Sequence, residues 1–244
     1  MSSLSGEKLD SKEPFKDINF ILNKGEILGI AGVEGNGQRE LTESILGIYP
    51  LSQGTITVDG INIDNMATRQ RRSLGINFIP EDRQTQGLVM DNSLIENAML
   101  GRQNKDMYKT RFKSVNFKNS RKFSNKIIDQ YDVRTPNSST LALALSGGNQ
   151  QKFVVGRELE DNPSLLVASQ PTRGIDIGAQ SLIWEELREA RDAGLGVLLI
   201  SADLEELLGL SDRLLVMYEG KIVKELLPED ATPELLGAYM TGLK

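Results

Sequence analysis

The sequence predicts an α/β fold on a largely parallel sheet, and three observations carry that expectation. Short apolar runs of buried-strand character, at 27–31, 76–79, 164–168 and 197–200, alternate with stretches of helical period. A glycine-rich loop follows the first run and opens an amphipathic helix carrying Leu41, Ile45 and Leu46. Turn pairs at Asp59-Gly60 and Glu219-Gly220, each between two short strand patterns, add an antiparallel layer.

Taken in order, residues 1–13 are polar, rich in Ser and Lys, and without apolar period, so a flexible tail is expected. Residues 15–22 alternate as a strand does, and Lys24-Gly25-Glu26 is a turn. The loop itself reads Gly32-Val33-Glu34-Gly35-Asn36-Gly37-Gln38-Arg39-Glu40. Residues 54–58 and 61–63 form a hairpin, and the basic stretch 69–73 follows. Pro80-Glu81-Asp82-Arg83 breaks the strand at 76–79. From about 94 to 131 the chain is polar and helical in character, and its basic stretch 105–122 reads as a solvated face. A loop at 135–139 leads to Leu145-Ser146-Gly147-Gly148-Asn149-Gln150, with a helix expected over 150–160 and stopped by Asn162-Pro163. The loop 171–176 precedes a helix over 177–193 that Gly194 ends. A short helix at 204–210, a hairpin at 214–218 and 221–224, and a last helix announced by Thr232-Pro233-Glu234 complete the chain.

Bulk properties exclude several kinds of chemistry. The 244 residues suffice for a real core, with 39% apolar and 25% charged residues as in globular proteins. A net charge of −6 argues against a general nucleic-acid binder. Without cysteine there is no disulfide or thiolate site, and without histidine no imidazole base, switch or ligand. No apolar run is long enough to span a bilayer. The expectation is a cytoplasmic chain that reaches a membrane only by docking on something embedded there.

The most informative stretch is Leu145 to Lys152. Ser146 is a natural N-cap, and Gly147 and Gly148 leave backbone N–H groups uncovered, so a phosphate can approach the positive end of a helix dipole. Read alone, it is also an ordinary capped helix. Four stretches in order sharpen it: the glycine loop, Pro80 to Arg83, the Leu-Ser-Gly-Gly stretch, and Gln170-Pro171-Thr172-Arg173-Gly174-Ile175-Asp176 after a strand. Together they resemble the nucleotide-binding domain of ABC transporters from residue 15 to the end. LSGGNQQK, PEDR followed by GL, PTRGIDIGA and ISADLEEL are similar to the second, C-terminal such domain of bacterial monosaccharide and nucleoside importers, in which two domains stand in tandem. The resemblance implies a P-loop NTPase fold over 14–244, with a mostly parallel core sheet, an antiparallel β layer and a helical subdomain at about 88–150.

The same resemblance exposes departures. Where the family's loop ends in Gly-Lys-Ser/Thr, this chain has Gln38 and Arg39. Losing one charge-assisted contact of this kind costs about 1.5–3 kcal/mol, one to two decades in affinity, and Arg39 is expected to restore part of that charge. Where the family has Asp-Glu before Pro-Thr, this chain has Ser169 and Gln170, neither of which can neutralise a divalent cation or accept a proton. Glu81 aligns with the glutamine that reads nucleotide state, and Ala202 with the switch histidine. No aromatic residue for stacking adenine precedes Phe15, as expected of one half of a longer polypeptide.

Five groups are lost together while the anion-binding helix start is kept. The resemblance therefore implies a domain that binds ATP or ADP weakly, with Mg2+ weak or absent and no metal site of its own. It would lend Ser146, Gly147 and Gly148 to the γ-phosphate held by a second, catalytically competent domain. It would work beside transmembrane permease subunits on the inner face of the plasma membrane, served indirectly by a solute-binding protein and without nucleic acid. The competing readings are an active ATPase using Glu34 or Glu40 as metal ligands, and an ABC-type clamp on nucleic acid. Asp176 reads both as a cap for the helix at 177 and as a residue of the dimer seam, Asp82 and Arg83 as a surface ion pair or a sensing loop, and Trp184 as helix packing.

Overall fold

The computed structural model describes residues 5–6, 14–103, 105–108 and 115–243. In chain order the elements are β1 (Ser5–Gly6), β2 (Ile27–Ala31), α1 (Gln38–Leu46), β3 (Leu51–Gln53), β4 (Thr57–Val58), β5 (Ile61–Asn62), α2 (Thr68–Ser73), β6 (Ile76–Ile79) and α3 (Leu94–Asn97). There follow α4 (Phe117–Gln130), α5 (Gly147–Leu159), β7 (Leu165–Ser169), α6 (Ile177–Asp192), β8 (Gly196–Ser201), α7 (Leu204–Leu210), β9 (Arg213–Tyr218), β10 (Lys221–Leu226) and α8 (Pro233–Met240). The chain divides into two compact units, one of Met1–Phe78, Pro163–Gln170 and Leu187–Lys244, the other of Ile79–Asn162 and Pro171–Glu186. The helical subdomain expected at 88–150 falls within the second.

The first unit is built on the sheet β10-β9-β2-β8-β7-β6. Strands β7, β8, β2 and β9 are parallel and β10 pairs antiparallel to β9. Strands β2 and β8 are buried at every position, which is why they read as unbroken apolar runs and do not alternate. Leu41, Ile45 and Leu46 of α1 pack into one cluster with Leu28, Ile30, Val167, Leu198, Ile200 and Met217. Each fully buried side chain of this size is worth about 1.5–3 kcal/mol, so the helix after the glycine loop is held by packing.

Several expectations need correction. Residues 15–22 form no named strand; Asp17 adopts φ 54, and the fully buried positions are Phe15 and Ile18. A spacing of three does not suit a strand of period two. The tail expected over 1–13 lies outside the described residues except for β1, which pairs antiparallel with β3. The helical region expected from 94 to 131 is interrupted: α3 is one turn, Gly101 takes φ 75, and α4 begins only at Phe117. Residues 109–114 of the basic stretch lie outside the described residues, and Lys118, Arg121 and Lys122 on α4 are exposed. The helix expected from 150 begins at Gly147, so both glycines lie in its first turn.

Candidate functional site

Parallel pairing brings three loops to one edge of the first unit. Ala31 stands opposite Ser201, and Ser169 opposite Ile200. Gly32, Gln170 and Ala202 therefore leave the sheet together at the carboxyl ends of β2, β7 and β8, where open α/β sheets form ligand crevices.

The glycine loop depends on left-handed backbone at Gly35 (φ 92) and Gly37 (φ 97). At Gly37 a Cβ would also lie 2.2 Å from the Pro14 carbonyl oxygen, so only glycine fits. Asn36 anchors the loop from outside and is 8% exposed. Its Nδ2 donates to the carbonyls of Met217 (3.3 Å) and Met240 (3.4 Å), and its Oδ1 accepts from the Glu219 N–H at 3.1 Å. Its own carbonyl accepts from the Gly220 N–H at 3.1 Å. Val33 and Glu34 sit exposed on the crest.

Gln38 is turned inward. It is 7% exposed, and Nε2 donates to the Val33 carbonyl at 3.2 Å. Arg39 does the opposite: its side chain is 74% exposed and Nε donates to Glu43 Oε1 at 2.8 Å, one turn along α1. The hydrogen bond and charge of Glu43 hold the guanidinium above its ordinary pKa. Arg39 thus pairs along α1 with Glu43. Glu40, in the first turn of α1, is partly exposed.

At the ends of β7 and β8, Gln170 has φ 50, a left-handed conformation unusual for a residue with a side chain. Its N–H donates to the Ile200 carbonyl at 2.7 Å. Its Oε1 accepts from the Ala202 N–H at 3.2 Å and from the Ser201 hydroxyl at 3.4 Å. Ser169, Gln170 and Ala202 carry no charge. Among the described residues no group of three His, Cys, Asp or Glu side chains is arranged to hold a metal ion.

The second unit holds the other half of the expected chemistry. Ser146 caps α5, its Oγ accepting from the Asn149 Nδ2 at 2.8 Å and, more distantly, from the Asn149 N–H at 3.4 Å. Asn149 Oδ1 in turn accepts from the Arg134 N–H at 2.8 Å. Gln150 Nε2 donates to the Ala142 carbonyl at 3.1 Å, and Leu145 is buried just ahead of the cap. Ser146 itself is exposed, Gly147 half-buried and Gly148 buried, so the helix start presents the Ser146 hydroxyl.

Arg83 braces this surface. Its Nη1 and Nη2 donate to the carbonyls of Arg173 (3.0 Å) and Gly174 (3.3 Å), and Nη2 lies 2.5 Å from where a Cβ on Gly147 would stand. Glu81 pairs with Arg173. Asp82 does not pair with its neighbour; it accepts from the N–H groups of Gln84 and Thr85, capping a wide turn over Arg83–Gly87. The Thr85 side-chain hydrogen bond first, and then the two backbone N–H bonds, hold its carboxyl below the usual range. Asp176 caps α6 through the Ala179 N–H at 3.0 Å, and that bond depresses its pKa as well.

Sequence reasoning missed Arg83's clasp, the Glu81–Arg173 pair and the anchoring role of Asn36. The first two join residues some ninety positions apart, and no local pattern encodes them.

A family model described as ABC transporter matches residues 15–173. The chain is 45% identical to a guanosine import ATP-binding protein of Bacillus subtilis, over 94% of this chain and 45% of that protein. It is 38% identical to a ribose import ATP-binding protein of Clostridium perfringens, over 99% of this chain and 48% of that protein. The chain thus spans about half the length of these relatives. Among solved structures, an ATP-binding cassette of an ABC transporter in its ADP conformation superposes with a TM-score of 0.77 at 23% identity, covering 98% of this chain and 99% of that one. A dimeric bacterial ABC transporter cassette gives 0.78 at 20% identity, covering 93% and 99%. These likenesses establish the fold, a P-loop ABC ATPase core with a mostly parallel sheet.

Proposed function

Because the chain belongs to the ABC transporter family, we propose that it is the signature-donating nucleotide-binding domain of an importer for simple sugars or nucleosides. It is the second of two tandem domains. Its own glycine loop holds ATP or ADP weakly or stays empty, with little Mg2+, and it does not turn nucleotide over. Its α5 start caps the triphosphate bound by a competent partner domain. The complex sits on permease subunits at the inner membrane face and is fed by a solute-binding protein.

The observation that carries this reading is an asymmetry of charge. Gln38, Ser169, Gln170 and Ala202 are neutral, and Arg39 is committed to Glu43. Those four neutral side chains supply no charge to neutralise a metal–triphosphate and no base to activate water. The start of α5 meanwhile keeps the exposed Ser146 hydroxyl at the positive end of a helix dipole. Relatives named for guanosine and ribose import support the solute class.

The isolated chain is expected to show no magnesium-dependent ATP turnover, and Gln38→Lys alone is not expected to restore it. Paired with a competent domain, Ser146→Arg or Gly147→Asp should abolish the partner's turnover with the fold intact. The fold should survive because a Cβ at Gly147 crowds the far end of Arg83 and meets the Gly174 carbonyl at an ordinary 3.5 Å. Turnover by the isolated chain, or unchanged partner turnover in the variants, defeats the proposal.

A further inference from the structure

We infer that the exposed face of α4 is a contact surface for anionic phospholipid headgroups, so that this domain touches a bilayer directly and not only through permease subunits. This rests on the proposed place of the domain at a membrane face and adds a second contact there.

Charge is segregated along the chain. Residues 105–122 carry seven Lys or Arg and one Asp, in a chain whose net charge is −6. Three of these cations stand on α4. Ser120, Ser124 and Ile127 are buried on its inner face. Arg121 and Lys122 follow Lys118 at the helical spacings of three and four, and all three are exposed on the outer face. Among the described residues none of the three is paired with a carboxylate. Glu160 takes Lys126, and Asp129, the one acid in α4, lies two turns past Lys122. Val115 (41%) and Phe117 (54%) are exposed at the start of the same helix. Unpaired cations beside exposed apolar side chains match a bilayer boundary, where headgroup phosphates overlie acyl chains. Nucleic acid also offers phosphates, but the net negative charge of the chain repels a polyanion. Membership of a transporter family puts a bilayer within reach.

Each Lys or Arg near an anionic leaflet strengthens binding about fivefold, and three together about 100-fold. The chain should therefore sediment with phosphatidylglycerol vesicles at low salt and not with phosphatidylcholine vesicles. Lys118→Gln, Arg121→Gln and Lys122→Gln combined should weaken that binding about 100-fold. Phe117→Ala alone should weaken it about 10-fold. Salt at about 1 M, where the screening length is about 3 Å, should release the native chain. No sedimentation of the native chain, equal sedimentation with both vesicle types, or unchanged binding by the triple variant overturns the inference. So does a gel shift with RNA in the absence of vesicle binding. The three positions are exposed, so the fold should persist; should the triple variant fail to fold, salt-insensitive vesicle binding by the native chain overturns the inference. The signature-donor reading is judged separately: Ser146→Arg should leave vesicle binding unchanged while stopping partner turnover.

Discussion

The side-chain oxygen of Gln170 accepts a hydrogen bond from the backbone N–H of Ala202 at 3.2 Å, joining the two loops that leave β7 and β8. A neutral carboxamide thus latches the sheet edge at the ends of β7 and β8. The latch is retained although the backbone carries it at φ 50, which for a residue with a Cβ costs about 1–2 kcal/mol.

Two substitutions separate latch from strain. Gln170→Ala loses the hydrogen bonds and keeps the strain, and should destabilise by about 1 kcal/mol. Gln170→Gly loses the same bonds but relieves the left-handed backbone, and should fall close to native. Denaturant midpoints at constant m-value check the order. Alanine as stable as glycine would mean that the φ angle carries no cost here.

Gly156 lies inside α5, where alanine normally gains about 1 kcal/mol. Here a Cβ would meet the Tyr131 ring at 2.6 Å and Ile127 Cγ2 at 2.9 Å. Tyr131 is 2% exposed. Overpacking of this kind costs about 1–3 kcal/mol, so Gly156→Ala should be net destabilising by up to about 2 kcal/mol. A melting temperature at or above native would show that the α4–α5 contact is looser than the geometry requires.

What the sequence disclosed, and what it withheld, follows the range of the interactions. Strands β2, β6, β7 and β8 were legible within a residue, and in β2 and β8 burial on both faces explains the apolar run. The hairpins were legible from turn residues. The start of α5 was misplaced by three residues because glycine is a poor helix former, and only the Ser146 cap and tertiary packing commit Gly147 and Gly148 to the first turn. Residues 15–22 misled because their apolar content serves the core without strand pairing. Inside the site, residue identities were readable but side-chain directions were not. That Gln38 turns inward, that Arg39 turns to Glu43 and that Arg83 reaches the carbonyls of Arg173 and Gly174 depend on contacts with no local signature.

Asp176 gives a pH-dependent readout. Its folded pKa is depressed, led by the Ala179 N–H bond. A depressed carboxylate contributes stability above its unfolded value, near about 3.9, and loses it as pH falls through the lower folded value. The Ala179 amide resonance should therefore titrate with a midpoint below 3.9, an approximate model-peptide value, and Asp176→Asn should remove that titration. A midpoint at or above the model-peptide value would mean that the cap is not formed in solution.

Among the described residues Arg102 is the largest fully buried side chain, at 1% exposure. Its guanidinium donates to the carbonyls of Arg157 (2.7 Å) and Leu100 (3.0 Å) and to Glu158 Oε2 (3.0 Å). Nε stands 3.1 Å from Asp161 Oδ2 as an ion pair, off the angle of a hydrogen bond. Removing the side chain leaves each carboxylate one cation, since Glu158 keeps Arg157 and Asp161 keeps Lys105. The loss therefore comes chiefly from the cavity and from orphaned carbonyls, not from a stranded charge. Arg102→Ala should cost about 3–5 kcal/mol. Arg102→Met, which refills most of the volume with apolar atoms, should recover more than half of that. Equal losses for the two variants in denaturant unfolding would mean that the charge network, and not the volume, holds this part of the second unit together.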